Sequence, residues 1–176
     1  MKKIGLFYWP KGGNVEKAAV AIKARFNDDE IDMIDLGQLT TENVAQYDNL
    51  IFGCSTVGAD HWEDATNDNK WYVMFHDLEE KNVDFNKKKT ALFGLGDQIN
   101  YPHNFVDGLE RVHDFIKKHN VDFVGQWKND DSFEFQESAA LHDGFFRGLP
   151  LDLDHQEEML DSRVDAWVEA LNKDFK

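Results

Sequence analysis

The sequence is short of cysteine, of basic residues and of long apolar runs, and each shortage narrows what the chain can be. Cys54 is the only cysteine in 176 residues, so no internal disulfide is available and nothing points to an oxidising compartment. It reads as a small apolar packing residue. Lysine and arginine number 19 against 34 aspartates and glutamates, a formal charge of −15. Most faces would therefore repel a nucleic-acid backbone or an anionic membrane, while a basic partner would be attracted. Acidity that serves only solubility is the plainer alternative. No segment approaches a membrane span, and the opening MKKIGLFYW meets Pro10 and Lys11 too soon for a signal-peptide core, so a cytoplasmic protein is expected. One local absence matters more. Between Phe7 and Ala19 the chain reads FYWPKGGNVEKAA, with no serine or threonine.

What is present suits one domain over 1–176, since 41% hydrophobic residues suffice for a single sizeable core. Ile4 to Tyr8 reads as a buried strand, and Asn14 to Phe26 places Val15, Ala18, Ala19, Ile22 and Phe26 on one helical face. IDMIDL (31–36), NLIFGCS (49–55), KTALFGLG (89–96) and VDFVGQW (121–127) are further strand candidates. Helical patterns run over Trp71 to Glu80, Asn104 to His119 and Gln156 to Phe175. Alternating strands and helices predict an α/β fold, a doubly wound five-stranded parallel sheet with helices on both faces. The stretch from Asn129 to Pro150 reads as an irregular insertion within or after the fifth strand.

In such a sheet ligands bind outside the carboxyl ends of the strands, which points to three loops: Trp9 to Asn14, Ser55 to Asn69, and Leu95 to Asn104. Glycines between a strand and a helix gather backbone N–H groups at the helix N-terminus, where an anion is favoured. Gly12 and Gly13 offer such donors, Asn14 an amide and Lys11 a cation. The loop nevertheless lacks both the G-x-x-x-x-G-K-[ST] and the G-x-G-x-x-G spacing. In the third loop Gly96 permits a close backbone approach and Tyr101 supplies an aromatic plate. A planar, phosphorylated ligand fits the combination. No G-x-S-x-G elbow surrounds Ser55, and no activated nucleophile can be picked out, so there is no case for hydrolysis or group transfer.

The segment ALFGLGDQINYPHNFVDGL (91–109) closely resembles the flavin-flanking segment of long-chain flavodoxins, and the resemblance continues through HDGFFRGLPLDLDHQ (142–156) and DSRVDAWVEAL (161–171). It implies a flavodoxin-like fold with one non-covalent FMN, its phosphate on the first loop and its ring between the second and third. By position Tyr101 would stack on the ring, Gly96 and Asp97 would meet its polar edge, Asn104 would support the third loop, and Thr56 and Asp154 would lie near the cofactor. The implied function is single-electron transfer between redox partner proteins. The alternative is a flavodoxin-fold binding or regulatory module that has lost FMN or takes another ligand.

The departures from that pattern carry expectations of their own. Pro10, Gly12 and Val15 stand where the family usually has hydroxyl residues, leaving Gly13 and Asn14 of its loop. Lys11 then either compensates as a charge beside the phosphate or is a solvated lysine, and Trp9 would seal the loop against the neighbouring strand. In the second loop Val57 and Gly58 follow Thr56 where the family often places a tryptophan, and ADHWEDATNDNKW lengthens the loop. Trp62 either takes over the missing aromatic face or packs on the protein. Gly58 would let a peptide turn its carbonyl toward the flavin N5–H on reduction. Asp60, Glu63, Asp64 and Asp68 are the acids expected to steer a partner with a basic docking face. Among the seven histidines no metal-ligand spacing occurs, and His113 and His119 read as surface residues. Asp152, Asp154 and His155 form a polar cluster, but family position explains Asp154 better than a cation does, and no metal is expected. A monomer is expected.

Overall fold

The computed structural model describes residues 3–55 and 69–175. In chain order these form β1 (Ile4–Tyr8), α1 (Asn14–Lys23), β2 (Ile31–Asp35), α2 (Thr41–Ala45), β3 (Asn49–Cys54), α3 (Lys70–Glu80), β4 (Lys89–Leu95), α4 (Gly108–Ile116), β5 (Asp122–Phe123), β6 (Trp127–Lys128), β7 (Leu141–His142), β8 (Phe145–Phe146), β9 (Leu149–Leu151) and α5 (Leu160–Asp174). The main sheet is parallel in the order β2-β1-β3-β4-β5, with β9 also paired to β4.

The continuous apolar runs of β1, β3 and β4 work because strand side chains alternate between faces. Phe7, Leu50, Phe52 and Leu92 point to one side, where Trp71, Phe75 and Leu78 of α3 and Leu109, Val112 and Ile116 of α4 cover them. Leu6, Ile51, Ala91 and Phe93 point to the other, under Val15, Ala18 and Ile22 of α1 and Val164, Trp167 and Leu171 of α5. Both layers are closed to water. A fully buried aliphatic or aromatic side chain contributes roughly 1.5–3 kcal/mol, so the strands are held by both helical layers rather than by their own ladders alone.

The fifth strand departs from the expected VDFVGQW. Only Asp122 and Phe123 pair with β4, and the chain leaves the sheet at Gly125, whose φ of +73° suits glycine. A Cβ at Gly125 would stand 2.6 Å from a Leu171 methyl, and its carbonyl accepts the Trp167 indole N–H at 2.7 Å. The strand position is taken up again by β9, with Phe93 opposite Leu149 and Leu95 opposite Leu151. The insertion therefore lies within the fifth strand. It is also less irregular than expected, because β6, β8 and β7 form a small antiparallel sheet.

Two further expectations change. The helix expected from Asn104 begins at Gly108, because Val106 adopts a φ of +50° in the preceding turn. His119 is not a surface residue: it is buried, its Nδ1 lies 2.9 Å from the Val83 carbonyl oxygen, and its ring lies between Phe85 and Phe115. His113 is mostly covered as well, stacked on Phe123 at 4.2 Å, and burial lowers its pKa.

Candidate functional site

The first and third loops emerge from the carboxyl ends of β1 and β4, on either side of the end of β3, as the sheet order requires. Gly12 has a φ of +84°, and open space surrounds the Cβ positions of both Gly12 and Gly13. Gly13 is the N-cap of α1 and carries no side-chain cap, so the helix presents its first turn without a side-chain acceptor from the cap position. Lys11 is exposed at the loop tip. Trp9 closes the base of the loop, donating its N–H to the Gly53 carbonyl on β3 and accepting the Trp71 indole at its own carbonyl.

The loop also holds a feature that sequence reasoning missed. The Glu16 carboxylate folds back from the first turn of α1, accepting the Gly12 N–H at one oxygen and the Tyr8 hydroxyl at the other, both at 2.8 Å. A glutamate three residues after the N-cap was the available signal, since that position reaches back to preceding N–H groups. Hydrogen bonding from Tyr8 and then from Gly12 lowers the Glu16 pKa.

The third loop is built around close backbone approach. A Cβ at Gly96 would stand 2.8 Å from the Val106 nitrogen, so the approach that Gly96 permits is to its own loop's return. Asp97 accepts the Ile99 and Asn100 N–H groups and the Asn100 amide, and lies 3.0 Å from His155 Nε2. Burial pushes its carboxyl up, but those contacts outweigh burial and hold it at about 2. Its side chain is thus committed to the loop. Asn104 donates its N–H to the Tyr101 carbonyl and its amide to Asp107, while Tyr101 is 66% exposed.

Behind this loop the insertion supplies partners for otherwise stranded polar groups. Gln136 and Glu137 donate N–H groups to the Pro102 carbonyl, the Ser138 hydroxyl donates to the Phe105 carbonyl, and the Glu134 N–H donates to the buried Gln98 side chain. Phe133 and Phe135 pack on Phe105 with ring centroids 5.0 and 5.2 Å apart. The fully buried Asp152 accepts the N–H groups of Gln98, Asp154 and His155 at 3.0–3.1 Å. Asp154 in turn accepts the Asn14 amide at 3.1 Å. The turn after β9 thereby touches both loops.

Of the expected site residues, the structure brings together Asn14 and Asp154, and sets Gly96, Asp97, Tyr101 and Asn104 in one loop across the end of β3 from the loop of Lys11, Gly12 and Gly13. Thr56, Val57, Gly58 and Trp62 lie outside the described residues, as do Asp60, Glu63, Asp64 and Asp68. Asp97, Asp152 and His155 do converge closely enough for a cation, but Asp152 already accepts three N–H groups.

The family model described as flavodoxin matches residues 6–167. The chain belongs to the flavodoxin family. It is 36% identical to a flavodoxin of Nostoc sp. over 174 residues, covering 99% of this chain and 98% of that one. A flavodoxin of Haemophilus influenzae is likewise 36% identical, over 97% of this chain and 94% of its own. Among solved structures, Fusobacterium nucleatum flavodoxin bound to flavin mononucleotide superposes with a TM-score of 0.85 at 27% identity, covering 100% of both chains. No helix among the described residues is long and apolar enough to cross a membrane.

The residues present fit FMN, the cofactor flavodoxins bind. The fit rests on the uncapped first turn of α1 beside two glycines with open space over them, and on a braced loop that leaves an aromatic ring uncovered.

Proposed function

We infer that the chain holds one FMN non-covalently above the carboxyl ends of β1, β3 and β4 and carries single electrons between redox partner proteins. It acts as one flavodoxin-like domain over 1–176. The observation that carries this reading is the third loop, fixed by Asp152, Gln98 and the insertion yet presenting Tyr101 at its crest. Nothing in the fold or the comparisons favours a module that has lost its cofactor.

Bound FMN supplies the one-electron chemistry, and the protein grips and orients it. Lys11, Gly12, Gly13 and Asn14 receive the phosphate, helped by the positive end of α1. Tyr101 stacks on the ring, Gly96 and Asp97 border its polar edge through the main chain, and Asn104 and Asp154 keep the two loops in place. On sequence grounds, Thr56, Val57, Gly58 and Trp62 cover the remaining side, with Trp62 as the second aromatic and Gly58 as the peptide that turns. The charge of −15 suits partners with a basic docking face and slows self-association, in keeping with a cytoplasmic monomer.

The test is to purify the protein natively, record its visible spectrum, and titrate the stripped protein with FMN and riboflavin. A flavin spectrum, with FMN restoring it to the stripped protein, is the expected result. A colourless protein that binds neither flavin would overturn the reading.

A further inference from the structure

The first loop is asked to hold a phosphate dianion, and it already holds an anion of its own. Glu16 Oε2 sits 2.8 Å from the Gly12 nitrogen, on one of the two glycine N–H groups assigned to the phosphate. Its other oxygen is fastened by the hydroxyl of Tyr8, a buried residue at the end of β1. The carboxylate is therefore pinned across the loop from both sides. Lys11, the one side-chain cation of the loop, also acts electrostatically on Glu16. Pro10, Gly12 and Val15 add no side-chain donor to this stretch.

We propose that Glu16 is a specificity-determining residue, a self-supplied anion that competes with the FMN phosphate for the first loop and so limits this chain's preference for FMN over riboflavin. The proposal rests on the FMN reading above and goes beyond it. Phosphate must either displace the carboxylate from the Gly12 N–H or bind on the remaining donors beside a fixed like charge. Both routes weaken the phosphate's share of binding. The isoalloxazine contacts at Tyr101 and the third loop are untouched, so riboflavin, which has no phosphate, is indifferent to Glu16. A carboxylate bonded to a loop N–H ahead of a helix N-terminus ordinarily stabilises the apo loop, and here that stabilisation is what the phosphate has to overcome.

The experiment measures dissociation constants of the stripped protein for FMN and riboflavin by quenching of flavin fluorescence. Inorganic phosphate is titrated separately by calorimetry. The proteins are wild type, Glu16→Gln, and Tyr8→Phe, which frees the carboxylate from one anchor while keeping its charge. Glu16→Gln should raise the FMN preference, the riboflavin constant divided by the FMN constant, by about tenfold, equivalent to ~1.4 kcal/mol. It should leave riboflavin binding within about twofold, and inorganic phosphate should bind more tightly to the variant. Tyr8→Phe should give a smaller rise in the same direction. An unchanged or lowered FMN preference in Glu16→Gln, with riboflavin still bound, overturns the proposal and leaves the FMN reading standing. Should Glu16→Gln fail to fold, an unchanged preference in Tyr8→Phe overturns it equally. If wild type binds neither flavin, the FMN reading fails and takes the proposal with it.

Discussion

Replacing Asp152 with alanine should be among the most damaging single changes to the crevice. Its carboxylate is fully buried, and among the described residues its hydrogen-bond partners are the N–H groups of Gln98, Asp154 and His155, with Arg163 acting on it only electrostatically. A hydrogen bond to a charged group contributes roughly 1.5–3 kcal/mol, and a buried donor left without a partner costs about 1–3 kcal/mol. The Gln98 N–H is buried and would bear that full cost, whereas the Asp154 and His155 N–H groups are partly exposed and recover water. Allowing for this non-additivity, Asp152→Ala should lose about 3–5 kcal/mol, in the range seen when one partner of a buried polar network is removed. For a chain of this length each kcal/mol lowers Tm by about 2–4 °C. Urea and thermal unfolding of the stripped protein, followed through its five tryptophans, would read the loss directly. FMN binding should weaken in parallel, because Asp152 fixes Gln98 in the third loop and orders the turn that carries Asp154 to Asn14. A loss below about 1 kcal/mol with FMN affinity unchanged would refute the claim that this carboxylate joins the two loops.

The other predictions concern single contacts. Tyr101→Ala should leave the unfolding midpoint of the stripped protein almost unmoved, since the ring is exposed, but weaken FMN and riboflavin alike by roughly tenfold, the scale of one aromatic stacking contact; equal affinities before and after would remove Tyr101 from the ring's surroundings. Gly108→Ala places a methyl 2.3 Å from the Ser55 carbonyl oxygen, with backbone on both sides unable to swing away, and should cost about 1–3 kcal/mol in urea unfolding. For Asp97 the folded pKa of about 2 lies below its ordinary 3.8, so its contribution is complete above pH 4 and is lost as pH falls through 2. At 1.36 kcal/mol per pH unit the full shift corresponds to about 2.5 kcal/mol, solvent screening at this surface loop brings the contribution below that, and acid unfolding of Asp97→Asn should lack it. Identical acid profiles for variant and wild type would contradict the assignment.

Much of the sheet is legible in the sequence because β1, β3 and β4 are buried on both faces and announce themselves as unbroken apolar runs. The fifth strand does not, since only two of its residues pair before Gly125 turns the chain away and β9 returns after the insertion. No local pattern marks LPL as a strand; its place is fixed by pairing with Phe93–Leu95. In the site, Gly12, Gly13, Asn14, Gly96 and Tyr101 are legible because loops at the carboxyl ends of parallel strands must converge. Asp152 and Gln98 are less so, being polar residues whose roles exist only through backbone N–H groups distant in sequence. His119 misleads for a related reason: a histidine at a helix end looks solvated until the Val83 carbonyl and two phenylalanines are seen around it.

The broken fifth strand and the braced third loop are two consequences of one arrangement. Because β9 enters beside β4 in the register that sets Leu151 against Leu95, the Gly96 N–H finds the Leu151 carbonyl at 2.9 Å. The next residue, Asp152, is then level with the start of the third loop, one position short of Asp97, and its carboxylate reaches the Gln98 N–H. Moving the register of β9 by one residue would send Asp152 to the other face of the strand. Leaving the sheet at Gly125 and re-entering at Leu149 gives the chain the length to lay Phe133 and Phe135 under Phe105 and to satisfy the Pro102 and Phe105 carbonyls on the way. Val106 is held at a φ of +50° in the same turn, a conformation a β-branched residue keeps only where its surroundings over-determine it. The insertion therefore stands in the same relation to the third loop as the α1 N-terminus does to the first. Each is the part of the fold that makes a ligand-facing loop rigid before any ligand arrives, and a loop already ordered spends less of its contact energy on ordering when FMN binds.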